Sequence, residues 1–320
     1  MMQLVTLILS LFLSTLVYSQ SVPSYVPTNG LVGWWGFNGN AQDASGNGNH
    51  GTVNGATLTT DRFGNQDGAY RFSLAGNRIT TQSLGISGNN QRSVSVWVSQ
   101  ELSNTGNNQW VFFSYGGGGS GNGFGINIFP SNIPNQANRI GVDIGASYVV
   151  YNPIINQNIW HHVVCTYSPV WGNYVTNCKI YLDGNLLTSV AGLYFPNTLL
   201  NTLISSPVLF GNPNSNLEEQ FRGKLDDIGI WNRVLTQQEI TNLYNSQSCQ
   251  VNVNSQPQNQ STLPNRNVTF SLTSSDSSST YQWESNSGFG FQPLFNAGQY
   301  SGVNTSSLTV SNTSLQNNNQ

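Results

Sequence analysis

The sequence predicts an all-β protein built as two consecutive sandwiches, the first closed by one short helix. Three observations predict it. Apolar residues alternate at period two in "SVSVWV" (Ser93–Val98), "GINIF" (Gly125–Phe129), "RIGVDI" (Arg139–Ile144) and "IWHHVVCTY" (Ile159–Tyr167). Such alternation turns one face of a strand into a core and leaves the other outside. Clusters of Gly, Asn and Pro punctuate the runs, and "YLDGNLL" (Tyr181–Leu187) carries the Asp-Gly pair of a tight hairpin. One segment alone departs from this pattern and has a helical period.

In chain order, residues 1–19 read as a secretory signal. Their apolar stretch, Leu4 to Tyr18, is shorter than the ~20 residues of a spanning helix, and Val17 and Ser19 supply small residues before a cleavage at Gln20. The segment departs from the usual pattern in lacking Lys or Arg. No later apolar run is long enough to span a bilayer, so a secreted or cell-surface protein is expected. The strand "LVGWWGF" (Leu31–Phe37) follows, then "GNGNHG" (Gly46–Gly51), which fits the dinucleotide-binding fingerprint letter for letter. That fingerprint binds pyrophosphate because it opens into a helix. Here "TVNGATLTT" comes next, and its Thr and Gly disfavour a helix.

The helical exception is "LTQQEITNLYN" (Leu235–Asn245). Thr236 with Glu239 three residues on makes a capping box, and Ile240, Leu243 and Tyr244 form its apolar stripe. After Cys249 a Pro/Gln/Asn-rich linker leads to new strands, "STYQWES" with Trp283 and "SSLTV" (Ser306–Val310). An immunoglobulin-like sandwich takes about seven strands in ~100 residues, so residues 250–320 are expected to form such a domain without its last two strands.

Composition narrows the partners. Charged residues make up 7% of the chain, against about 25% in ordinary domains. The net charge is −3 and the ten basic residues are scattered, so no stripe exists to neutralise phosphates, and nucleic acid is not expected as a partner. Three histidines are too few for a dedicated metal cluster. Of three cysteines, Cys165 and Cys178 lie on two strands expected to pair, and a disulfide between them is expected; two small buried thiols are the alternative. Cys249 would then find its partner elsewhere.

Four segments, "GLVGWWGFNGNAQDASGNGNHGT" (Gly30–Thr52), "WHHVVCTY" (Trp160–Tyr167), "KIYLDGNLL" (Lys179–Leu187) and "FRGKLDDIGIWNRVLTQQEITNLYN" (Phe221–Asn245), resemble in order the landmarks of laminin-G-like, concanavalin-A-like jelly rolls. The pentraxins share this architecture. The resemblance covers residues 27–248. The tail resembles bacterial Ig-like modules of secreted adhesin-type proteins. The resemblance implies that "DASGNGNHG" is an ordered loop whose glycines permit positive φ and close backbone approach. In this family calcium often sits between that loop and the late Asp-containing strand. Carried over, Asp43 and Asp226 would be side-chain ligands, with carbonyls from Asn47 to Asn49. The alternative is an Asx cap by Asp43 and an Arg-paired Asp226, with Arg222 or Arg71 as the partner.

The fold hosts lectins and glucanases alike. A retaining glucanase needs two carboxylates about 5 Å apart, and none of Glu101, Glu218, Glu219, Glu239 and Glu284 belongs to an E-x-D-x-x-E run. Asp226 and Asp227 are adjacent and would point to opposite faces of a strand. His161 and His162 would likewise face opposite ways, with no nucleophile–base pair. The expectation is a non-catalytic module that binds a glycan or an extracellular protein. A glycoside hydrolase, or an accessory domain of one, and a plain spacer are the alternatives. Most tryptophans fall within strands, so the candidate contact residues are Trp171 and Tyr174 in the loop "SPVWGNYVTN" and Tyr115 beside "GGGGSGNG".

Overall fold

The computed structural model describes residues 21–313, apart from 75, 102–109, 118, 130–136, 146, 204–205, 212–220, 247–252, 256, 259, 261, 275–280 and 287–290. The signal segment, Glu218, Glu219 and Cys249 lie outside the described residues. The chain divides into two compact units, Met1–Ser246 and Gln247–Gln320.

The first unit contains, in order, β1 (Leu31–Trp35), β2 (Thr52–Asn54), β3 (Thr57–Thr59), β4 (Ala69–Phe72), β5 (Arg78–Thr80), β6 (Arg92–Gln100), β7 (Trp110–Gly116) and β8 (Gly123–Ile128). Then come β9 (Arg139–Asp143), β10 (Tyr148–Ile154), β11 (Trp160–Tyr167), β12 (Lys179–Leu182), β13 (Asn185–Leu186), β14 (Val190–Tyr194), β15 (Leu209–Gly211), β16 (Gly223–Trp231) and helix α1 (Gln237–Asn245). They form two antiparallel sheets of eight strands. The first runs β13-β12-β11-β6-β16-β4-β3, with β1 also on β16, and the second runs β14-β10-β9-β8-β7-β15-β5-β2. This is the jelly-roll sandwich of the concanavalin-A-like class.

The alternation in the sequence becomes the core directly. Val94, Val96 and Val98 of β6, Val163 and Cys165 of β11 and Ile228 and Ile230 of β16 meet Phe113, Ile126, Val142, Val149 and Phe210 of the second sheet. The outer face of the first sheet is buried too, because Ile240 and Leu243 of α1 pack with Trp34, Val164, Tyr181 and Trp231. Burying each such aliphatic side chain contributes about 1.5–3 kcal/mol. Hence β6 is covered on both faces along its whole length. The Asp183–Gly184 hairpin has φ of 50° and 79°, the left-handed pair that a two-residue turn between right-twisted strands requires.

In the first sheet Cys165 lies opposite Ile180, not Cys178. Cys178 ends a short 3₁₀ turn just before β12. Both cysteines are buried free thiols, so the expected disulfide is not formed here. Burial and the neighbouring Cys178 thiol push Cys165 well above the usual thiol range.

The second unit is a set of small antiparallel sheets. Val268–Ser271 pairs with Ser307–Val310, which also pairs with Tyr300–Ser301. Val303, Leu308 and Val310 form its core, against Val268, Phe270 and the half-buried Trp283.

Candidate functional site

The loop after β1 is held by its own polar groups. The Asp43 carboxylate accepts the backbone N–H of Trp34 (3.0 Å), Ser45 (2.8 Å) and Asn49 (2.9 Å). The Asn47 side-chain amide donates to the carbonyls of Leu31 and Val32, and that of Asn49 donates to Val32. The Asn49 carbonyl accepts the Trp35 indole N–H at 3.0 Å. Gly46 and Gly48 have φ of 87° and 74°, and a Cβ on Gly51 would come within 2.6 Å of Ile79. After Gly51 the chain enters β2 and no helix faces the glycines, so nothing there would hold a pyrophosphate.

Asp226 has a different partner from the two arginines considered. Arg62, from the loop after β3, donates to Asp226 at 2.8 Å and to Asp227 at 2.6 Å, and all three side chains are largely buried. Its guanidinium lies between the rings of Phe63 and Trp97, 4.3 and 4.5 Å from their centroids. The expectation that adjacent aspartates face apart fails for a local reason. Strand β16 is bulged between Asp226 and Gly229, and Asp227 has φ of 44°, so both carboxylates reach one cation. Burial raises both acids above their usual range, helped at Asp226 by the neighbouring Asp227 carboxylate, and Arg62 offsets part of that rise. As they stand, these donors do not fit a calcium ion. Asp43 already accepts three backbone N–H groups, and Arg62 already supplies the positive charge at Asp226.

Of the three expected contact aromatics, Tyr115 is corrected. It is 7% exposed, and its hydroxyl accepts from Arg92 at 2.6 Å inside the core. Burial pushes it up to about 12. Arg92, itself fully buried, also donates to Thr202 and to the carbonyls of Gly88 and Asn90. Tyr115 is therefore the lid on a buried guanidinium. Trp171 and Tyr174 do share one loop. Lys179 Nζ sits 3.8 Å from the Trp171 ring centroid, and the Asn177 amide bridges the Trp171 carbonyl and the Tyr174 N–H.

A Ser–His contact that the sequence did not suggest lies under α1. Ser95 Oγ and His162 Nε2 are 2.8 Å apart. The Asp183 carboxylate accepts the His162 backbone N–H and contacts the ring of His161 instead. His162 stacks near Trp97 and Tyr244, and both Ser95 and His162 are 1% exposed. Burial and Arg62 hold His162 down at about 3, so the imidazole is neutral. Sealed from substrate and without a carboxylate on its other nitrogen, the pair lacks the geometry of a nucleophile and base.

One row on the outer side of the second sheet is partly exposed and carries aromatic and carboxylate groups. Opposed residues of an antiparallel sheet share a face. Across β9, β10 and β14, Asp143 opposes Tyr148 and Tyr148 opposes Tyr194. The adjacent row, Val142, Val149 and their partner Ile126, is core, so Asp143, Tyr148 and Tyr194 face outward. The two tyrosine rings stack at 5.3 Å and 17°. Phe195 lies 4.3 Å from Tyr194, and the buried Phe129 lies 4.8 Å from Tyr148. Tyr194 and Phe195 are 47% and 60% exposed. Burial, Tyr194 and Asp143 together raise the Tyr148 phenol. Tyr148 was within reach of sequence reasoning, since "SYVVY" places it opposite in phase to core Val149. Tyr194, 46 residues away, needed the strand pairing.

Among the described residues no helix is long and apolar enough to cross a membrane. A profile described as the concanavalin A-like lectin/glucanases superfamily matches residues 45–241. A rat (Rattus norvegicus) protein, "Sushi, von Willebrand factor type A, EGF and pentraxin domain-containing protein 1", is 25% identical over 108 residues. That match covers 32% of this chain and 3% of the rat protein. Similar solved structures include domain 4 of an extracellular arabinanase from Geobacillus stearothermophilus, in complex with arabinotriose. It is 18% identical, with TM-score 0.49, 67% of this chain and 98% of that one. A Trypanosoma rangeli sialidase in complex with difluorosialic acid is 20% identical, with TM-score 0.51, 70% of this chain and 34% of that one. The profile spans more than half of the sequence, and the two-sheet sandwich agrees with it: the chain belongs to the concanavalin A-like lectin/glucanases superfamily.

Proposed function

We propose that the first unit is a non-catalytic carbohydrate-binding module acting outside the cell, and that its ligand lies on the outer face of the second sheet. The observation that carries this reading is the Asp143–Tyr148–Tyr194 row. A sugar presents an apolar C–H face and a rim of hydroxyls. A stacked pair of an exposed Tyr194 and a half-buried Tyr148 suits the first, and a carboxylate beside it suits the second. The sialidase is a neighbour in fold, and that likeness carries the fold alone. Export rests on the leader at residues 1–19, and an Ig-like second unit on its strands and Trp283. The enzyme reading gains no support at Asp226 and Asp227, whose carboxylates are buried on Arg62. A second binding surface, Trp171 with Tyr174, keeps its aromatics on one loop but lacks an acid beside them.

A glycan array probed with the full chain tests the reading, followed by titration of the best glycan against Tyr148→Ala and Tyr194→Ala. Each variant is expected to lose affinity by about tenfold, the loss of one stacking ring, with unchanged melting. Full affinity in both variants would move the site elsewhere, and Trp171→Ala would then locate it.

A further inference from the structure

We propose that Phe195 is a further contact residue of the sugar site, the one that offers a free ring face, and that Ser147 is the residue that positions it. The inference rests on the carbohydrate-binding reading above and adds the residue that selects for a stacking pyranose. Four rings follow one another in contact: Phe129 to Tyr148 at 4.8 Å, Tyr148 to Tyr194 at 5.3 Å, and Tyr194 to Phe195 at 4.3 Å. Exposure rises along them, from the fully buried Phe129 to Phe195 at 60%. Tyr148 and Tyr194 each touch two other rings. Phe195 ends the run, and among the described residues no further ring meets it.

Two features set Phe195 apart from a ring merely left at the surface. The first is its backbone. At period two Phe195 would turn away from Tyr194, but its φ of 44° brings the two rings to one side. That left-handed region is unfavourable for a bulky side chain, and the Pro196 that follows narrows the choice further. A glycine would adopt it freely. The second is that the conformation is clamped. Ser147, fully buried in the turn between β9 and β10, donates through Oγ to the Phe195 carbonyl at 2.7 Å and reaches the Tyr194 carbonyl at 3.2 Å. The Thr198 N–H donates to the Phe195 carbonyl as well, at 3.1 Å. Asp143 and Tyr148 flank the same turn, so one hairpin places the acid, one aromatic and the clamp on the end of β14. Burial recovers little of the strain, because the ring stays largely in water. A strained, clamped and exposed aromatic fits a contact residue, whose face suits the C–H face of one pyranose ring.

Calorimetric titration of the full chain with lactose, cellobiose and xylobiose, and with the strongest glycan of the array, tests the assignment. Phe195→Gly removes the ring and relieves the backbone. It should lower affinity by about tenfold, with a melting midpoint equal to or above that of the unsubstituted chain. Phe195→Trp keeps a stacking face and should keep the affinity. Phe195→Leu, apolar but without a ring, should lose it as the glycine variant does. Ser147→Ala should weaken binding in the unsubstituted chain but not in the Phe195→Gly background, and Ser147→Thr, which keeps the hydroxyl, should restore it. A merely structural role would weaken both backgrounds alike, and that result would overturn the positioning role of Ser147. Full affinity in Phe195→Gly or Phe195→Leu, with Tyr148→Ala and Tyr194→Ala still weakened, would overturn the assignment and leave the carbohydrate reading standing. Binding of the unsubstituted chain to none of these sugars and to nothing on the array would overturn both.

Discussion

Arg62 is the side chain on which a surface loop and the late strand β16 converge, and it decides how the first unit responds to cations. A guanidinium forked onto Asp226 and Asp227 fills the electrostatic role considered for calcium, and it does so without free carbonyls or water. Melting curves in chelator and in added calcium are therefore expected to superimpose. A higher melting temperature in calcium would show a metal bound to the folded state and overturn this. Arg62→Met leaves two buried carboxylates unpaired and should cost about 3–5 kcal/mol; Arg62→Lys should rescue little, because an ammonium cannot fork onto both acids. At this scale the sequence was only partly legible. That Asp226 needs a positive partner follows from a carboxylate flanked by apolar side chains. That an arginine pairs with it does not follow, nor does which one, because Arg62 lies 164 positions away and Arg71 is taken by Glu101. Tyr115 misled for the same reason: a tyrosine beside a glycine-rich loop looks exposed until Arg92 is placed behind it.

The elements were the most readable level, because period and capping are local. Helix α1 begins where Thr236 and Glu239 predict. Thr236 Oγ1 accepts the Glu239 N–H at 3.2 Å, and the Glu239 carboxylate accepts the Thr236 N–H at 2.8 Å. Thr236→Ala should cost about 1 kcal/mol in chemical denaturation; an unchanged midpoint would remove the cap from the argument. Glu239 also forms a two-point pair with Arg233, at 2.6 and 2.9 Å, which holds its carboxyl down at about 2. Its folded-state value lies below that of the unfolded chain, near 4.3. Its contribution is therefore present above about pH 4.3 and is lost as pH falls towards 2. Glu239→Gln should flatten the stability profile in that window and nowhere else. What local reading missed is the bulge in β16: period two gives Asp226 and Asp227 opposite faces, and only a positive φ at Asp227 brings them together. The Asp143–Tyr148–Tyr194 row was missed because it exists only once β9, β10 and β14 are in register.

At the scale of the whole molecule, the order of motifs along the chain was enough for the sandwich, since each landmark is a core strand or its flanking turn. The division of the chain has a physical counterpart in its cores. The two clusters of the first unit draw on residues from Val26 to Leu243, and the cluster of the second draws on Val268 to Val310. Among the described residues no cluster takes members from both. A core that is complete within one stretch of chain can form and melt as its own cooperative unit. Residues 20–246, expressed without the remainder, are therefore expected to keep the melting midpoint that the first unit shows in the full chain. For a unit of this size a midpoint lowered by more than about 4 °C corresponds to roughly 1 kcal/mol or more. A drop of that size would mean that the second unit contributes to the stability of the first. The proposed ligand row, Asp143, Tyr148 and Tyr194, lies wholly within the first unit, so the shortened protein should also bind the same glycans with the affinity of the full chain. Loss of binding with an intact melting transition would require residues beyond Ser246 to take part in the site.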